Sequence, residues 1–122
     1  MSFFNEDSKI LTKNIDALAN RGVSFTDAHS GSSVCTPTRY GLLTGRYAWR
    51  LTLKRGVTWS YDDHIIDSSR MTVASYLQAK GYNTACIGKW HLGIDWARDS
   101  LDSLIFTEPI TNGPNSLGFD YF

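Results

Sequence analysis

Cys35 and Arg39 stand four positions apart in the segment CTPTR, and Lys89 and His91 stand two apart in GKWHLG. These are the residues of the chain best suited to chemistry. Pro37 has the backbone angle of a first helical turn, and Ser33, Thr36 and Thr38 offer capping oxygens around it, so a short helix is expected to begin at Cys35. A thiol at that end faces unpaired backbone N–H groups, which favour an anion or an oxyanion. One helical turn later Arg39 returns to the same side, and its planar fork of donors matches the paired oxygens of a phosphate or sulfate ester. The same residues also fit a buried thiol at a helix start beside a solvated arginine. If GKWHLG leaves a strand in extended form, Lys89 and His91 share one face while Trp90 turns into packing. Lysine then holds an oxygen as a point charge and histidine moves a proton near neutral pH, although a surface lysine and a hydrogen-bonded histidine explain each residue taken singly. Gly88 and Gly93 flank the pair and permit positive φ or close backbone approach.

Two further features of the same residue types are read as structural. Cys86, in the apolar stretch NTACIG, is expected to be a small buried hydrophobe in a strand. The adjacent Asp62 and Asp63 are expected in a solvated turn within GVTWSYDDHIID, a stretch without a clear period.

The elements that must position these groups repeat one order. Thr12 to Asn20 reads as a helix with Ile15, Leu18 and Ala19 on one face, Gly22 stops it, and VSFTDA alternates as a short strand. After Met71, TVASYLQAK reads as a helix capped by Thr72, Gly81 ends it, and YNTACI reads as the next strand. Helix, glycine and strand in this order indicate an α/β sheet, in which ligand chemistry collects beyond the strand ends. SGSSVCTPTR and GKWHLG follow those two strands. From Ile94 onward prolines and glycines break the chain into turns.

Composition bounds the function classes. The 122 residues, 42% hydrophobic, suit one modest globular core with little margin. Twelve basic and twelve acidic residues cancel without a basic stripe, so nucleic acid is not an expected partner. No apolar run approaches a membrane span, and MSFFNEDSKI lacks the basic-then-apolar order of a signal peptide. Two cysteines make neither a disulfide framework nor a CxxC zinc motif.

CTPTR followed by YGLLTGR resembles the first signature of the formylglycine-dependent sulfatases, and GKWHLG resembles the second. LTKNIDALANRGVSFTDAHS and LGFDYF resemble stretches before the first and after the second. The resemblance implies an α/β fold, namely part of an alkaline phosphatase-like three-layer sandwich with a central, mostly parallel sheet. Residues 1–122 would be a partial catalytic domain, truncated at both ends. It implies hydrolysis of a sulfate monoester, either a sulfated sugar or an aryl sulfate, through formylglycine made from Cys35 by a formylglycine-generating enzyme or equivalent maturase. Pro37 and Arg39 would be read by that maturase, Arg39 would also steady the aldehyde hydrate, Lys89 would hold the hydrate and a sulfate oxygen, and His91 would aid proton movement. It further implies calcium, with converted Cys35 as one ligand and the other ligands absent from this chain, so that the chain alone is expected to be inactive. A phosphonate or phosphate monoester hydrolase of the same superfamily is the enzymatic alternative, and an inactive fragment serving as an interaction module is the other. The family's members imply a secreted, periplasmic or lysosomal location, and exposed sheet edges would favour oligomers.

Overall fold

A computed structural model describes residues 1–122, and its regular elements are three helices: α1 (Lys13–Arg21), α2 (Cys35–Thr44) and α3 (Val73–Gln78). Single 3₁₀ turns occupy Ser2–Phe4, Ala48–Arg50 and Pro114–Leu117. None of the helices is long and apolar enough to cross a membrane.

Each helix forms where the sequence placed it, but the ends are held differently. Thr12 precedes α1 without capping it. Its hydroxyl donates to Asp16 Oδ1 at 2.8 Å and accepts the Ser2 N–H at 3.0 Å, while Asp16 also accepts from the Phe3 N–H at 3.0 Å and from the Ser2 hydroxyl. The Ser2 hydroxyl, followed by Thr12 and the Phe3 N–H, holds the Asp16 carboxyl below the usual carboxylate range. No residue of α1 is buried; Ile15 and Leu18, expected to face a core, line an open apolar hollow with Phe3, Phe4 and Val23. At α3 the expected cap is present as a reciprocal pair. Thr72 Oγ1 accepts the Ser75 N–H at 3.0 Å and Ser75 Oγ accepts the Thr72 N–H at 2.8 Å.

The strand expectations are corrected. VSFTDA forms no ladder, because its alternating residues meet no neighbouring strand: Val23 and Phe25 are 80% and 77% exposed. YNTACI pairs only at Ala85, in a parallel bridge to Tyr121, with the Cys86 N–H donating to the Tyr121 carbonyl at 2.8 Å. A continuous central sheet is therefore not formed within these residues, and Cys86 is half-buried rather than enclosed in one. Burial raises the Cys86 thiol pKa, with the nearby Arg39 guanidinium opposing the shift. Two antiparallel bridges, Asp95 to Asn112 and Arg98 to Leu104, order the turn-rich tail.

Packing centres on α2. Tyr40 joins Leu51, Ile66, Leu92 and Leu117 in the buried cluster, with Leu43, Ile65 and Trp90 packed against it. This places the end of GKWHLG directly against the helix that carries CTPTR. Asp120 secures the return of the chain, accepting from the Thr84 N–H at 2.8 Å and Gln78 Nε2 at 2.6 Å.

Candidate active site

α2 begins at Cys35, with Val34 in extended conformation before it. Pro37 falls in the first turn, where a missing N–H costs no intrahelical bond. The neighbouring hydroxyls do not cap the helix as expected. Thr38 Oγ1 donates to the Ser32 carbonyl at 2.5 Å, and Thr36 Oγ1 donates to the His91 carbonyl at 2.8 Å. The N–H groups of Cys35 and Thr36 consequently stay without protein acceptors at the positive end of the helix.

Across from that end stands the second motif. His91 Nδ1 lies 3.0 Å from Cys35 Sγ, within hydrogen-bond reach. His91 achieves this with φ of 59°, so the segment turns sharply rather than running on as a strand. The alternation expected for GKWHLG is replaced by that turn. Trp90 still goes into packing, edge-on to Phe119 at 6.3 Å between ring centres, with its Nε1–H donating to the Gly93 carbonyl at 2.8 Å. Arg39 reaches the same segment: Nη1 donates to the Lys89 carbonyl at 2.5 Å, and Nε is enclosed without a partner. The Lys89 side chain is exposed and makes no ion pair or hydrogen bond within the chain. Thus Cys35 and His91 are in direct contact, and Arg39 is joined to the second motif through the backbone of Lys89.

Two glycines next to this segment have the freedom expected of them, Gly88 at φ 112° and Gly93 at φ 74°. Gly93 also lies under the backbone of the 59–66 loop, where the Ile65 N–H donates to the Leu92 carbonyl at 3.1 Å and the Ile94 N–H to the Asp62 carbonyl at 3.0 Å. Asp62 and Asp63 are exposed in a turn, as expected, and Asp62 Oδ2 accepts the Trp59 N–H at 2.8 Å.

Sequence reasoning did not single out Thr58 or assign Thr36 its actual role. Both are 1% exposed, and the Thr58 N–H donates to Thr36 Oγ1 at 3.2 Å while that hydroxyl donates to the His91 carbonyl. One buried oxygen thereby ties α2, the 56–67 loop and the backbone of His91. The available signal was weak, since a threonine beside a helix start is ordinarily a capping residue. Thr36→Val keeps the shape but removes the oxygen, leaving the Thr58 N–H and the His91 carbonyl unpaired. Urea unfolding is expected to show a loss of about 1–3 kcal/mol for Thr36→Val and a smaller one for Thr36→Ser.

His64 and Asp95 lie on the far side of the same loop. Asp95 Oδ1 accepts the His64 N–H at 2.7 Å and Oδ2 accepts from Asn112 Nδ2 at 2.7 Å. Burial lowers the His64 pKa, opposed by the Asp95 charge, and the imidazole Nε2 is enclosed without a partner.

The sulfatase family model matches residues 1–122. An N-acetylgalactosamine-6-O-sulfatase of Bacteroides thetaiotaomicron is 42% identical over 114 residues, covering 93% of this chain and 21% of the relative. Human arylsulfatase A is 43% identical over 83 residues, covering 68% of this chain and 16% of the relative. A solved Bacteroides thetaiotaomicron chain, from work on the metabolism of multiple glycosaminoglycans, superposes with a TM-score of 0.72 at 41% identity, covering 89% of this chain and 22% of that one. The chain spans about a fifth of the length of the relatives it matches. On the family match over residues 1–122, and on relatives and a solved structure about 40% identical over most of its length, this chain belongs to the sulfatase family.

Proposed function

We propose that residues 1–122 form the nucleophile-bearing part of a sulfuric ester hydrolase with an alkaline phosphatase-like sandwich, and that Cys35 is the precursor of its nucleophile. The observation that carries this reading is the 3.0 Å approach of His91 Nδ1 to Cys35 Sγ at an uncapped helix start. Arg39 supports it by bridging the two motifs.

Conversion of Cys35 to formylglycine by a maturase supplies an aldehyde hydrate: one hydroxyl attacks the ester sulfur and breaks its bond to the alcohol, which leaves with a proton, and the second hydroxyl then gives up its proton to re-form the aldehyde as sulfate departs. The residues of the chain serve that chemistry in distinct ways. The free N–H groups of Cys35 and Thr36 favour negative charge at the helix start. His91 Nδ1 faces the atom on Cys35 Cβ and holds or moves a proton there. Arg39 spends one donor on the Lys89 carbonyl, which fixes the guanidinium against the motif and sets the position from which the Lys89 ammonium reaches a sulfate oxygen. That ammonium is free for an anionic substrate, since it has no partner within the chain.

Of the ligands that calcium, which the family implies, would take, this segment could supply only the converted side chain at Cys35. The ion takes six to eight oxygens, and no three His, Cys, Asp or Glu side chains converge in the chain.

Mass spectrometry of the Cys35 peptide from the native source tests the reading. The side chain is expected to have lost a sulfur and two hydrogens and gained one oxygen. A fully unmodified thiol in protein that hydrolyses sulfate esters would refute formylglycine as the nucleophile.

A further inference from the structure

His91 is held to the start of α2 at two points, and only one of them is a group with an assigned chemical part. His91 Nδ1 lies 3.0 Å from Cys35 Sγ. The next residue along α2, Thr36, donates from Oγ1 to the His91 carbonyl at 2.8 Å. One contact alone would leave the histidine free to pivot about it. Two contacts from consecutive residues fix its direction as well as its distance.

The second contact can form in one sense only. Thr36 and Thr58 are each 1% exposed, so neither hydroxyl turns to water. A hydroxyl has one hydrogen and two lone pairs. Thr36 Oγ1 accepts the Thr58 N–H at 3.2 Å and lies 3.3 Å from Thr58 Oγ1. Its own hydrogen is on the His91 carbonyl, so the Thr58 hydroxyl is the donor across those 3.3 Å. Both lone pairs of Thr36 Oγ1 are then occupied by Thr58, and its hydrogen stays directed at His91.

His91 needs such a hold. Its φ of 59° lies in the left-handed region, which a residue with a Cβ enters at a cost. Its ring makes no hydrogen bond other than the one to Cys35, so the backbone aims the imidazole. The flanking carbonyls are pinned as well, Lys89 by Arg39 Nη1 at 2.5 Å and Leu92 by the Ile65 N–H at 3.1 Å. Only the Thr36 bond reaches His91 itself, and it comes from the residue covalently next to Cys35. A disfavoured angle that its surroundings over-determine is how a preset geometry is kept.

We infer that Thr36, backed by Thr58, is a positioning residue of the reaction: it keeps His91 in its left-handed conformation with Nδ1 against the group on Cys35 Cβ. The inference rests on the sulfate-ester reading and adds to it a residue that touches neither the ester nor the reacting atoms.

The test uses the complete, matured protein with 4-nitrophenyl sulfate, each rate divided by the formylglycine content read from the mass of the Cys35 peptide. Thr36→Val is expected to lower kcat about 10- to 100-fold with KM within about twofold, and Thr36→Ser to restore most of it. Thr72→Val is the structural control. Thr72 is also buried, and its Oγ1 accepts the Ser75 N–H at 3.0 Å and donates to the Leu117 carbonyl at 2.6 Å, outside both motifs. Its kcat should stay within about twofold of wild type. In a His91→Ala background Thr36→Val should lower kcat no further, because it acts through the imidazole. Thr58→Val, which leaves Thr36 in place, carries the same comparison with a smaller fall, about threefold, if Thr36→Val does not fold. An unchanged kcat, a fall shared by Thr72→Val, or a fall undiminished without His91 overturns the inference. A crystal structure of unconverted Thr36→Val protein separates the two levels of the reading. An imidazole moved off Cys35, in a protein whose wild type hydrolyses no sulfate ester, would uphold the positioning and refute the reaction. An imidazole still on Cys35, with wild-type turnover that requires Cys35, would do the reverse.

Discussion

Cys35→Ala in the complete, matured protein is expected to lower hydrolysis of 4-nitrophenyl sulfate by at least about 10³-fold, to the level left by binding and electrostatics alone. The side chain is half-buried at the first position of α2, outside the buried cluster of Tyr40, Leu51, Ile66, Leu92 and Leu117. Its removal should therefore cost no more than about 1 kcal/mol of stability, and an unchanged unfolding midpoint in urea would show that the lost activity is chemical. Cys35→Ser gives a sharper form of the same experiment. One hydroxyl can attack sulfur but has no second hydroxyl with which to expel sulfate, so a serine left unconverted is expected to stop after a single turnover. Steady turnover by unconverted Cys35→Ser would mean that the nucleophile needs no aldehyde. Cys86 serves as the control cysteine: burial raises its thiol pKa and its N–H is engaged by Tyr121, so Cys86→Ala should leave the reaction intact.

The residues proposed for this chemistry stand out in the sequence because their types and spacing form two short motifs. A helix start at Cys35 follows from Pro37 and is found there, whereas the Arg39 guanidinium, expected beside the thiol, is bonded to the Lys89 carbonyl. The second motif was legible only in content. GKWHLG named Lys89 and His91, but an extended reading put both side chains on one face, whereas the φ of 59° at His91 turns the imidazole toward Cys35 and leaves Lys89 in solvent. No local pattern reports that angle, and the groups bonded to the segment there, the Thr36 hydroxyl and the 59–66 loop, are both distant in sequence. The strands failed for a related reason. Alternation in VSFTDA states which faces a strand would show, but a strand exists only with a partner, and Val23 and Phe25 have none in this chain. Helices α1 and α3 close their hydrogen bonds within themselves and so were found where expected.

Gly93→Ala is expected to be the most damaging single methyl in the chain, because it acts on the joint that aims His91. A Cβ at this position would lie 1.9 Å from the Asp63 carbonyl oxygen, 2.5 Å from its carbon and 2.9 Å from the His64 nitrogen. All three are backbone atoms, so no side chain can swing aside, and the φ of 74° adds the usual left-handed penalty of about 1–2 kcal/mol. The loop must move, and with it the bonds from Ile65 to Leu92 and from Ile94 to Asp62. Together these place the loss at about 3–5 kcal/mol, at the upper end of what point substitutions cost. Gly45→Ala isolates the conformational part: Gly45 ends α2 at φ 65°, yet a Cβ there meets nothing within 4 Å, so only about 1–2 kcal/mol should be lost. Urea unfolding of the two variants should differ by the steric share, and equal losses would mean that the 59–66 loop yields freely. Any Gly93→Ala protein that still folds should also lose turnover, since a displaced loop breaks the bonds at Leu92 and Ile94 that hold the segment following His91, and the imidazole shifts from Cys35.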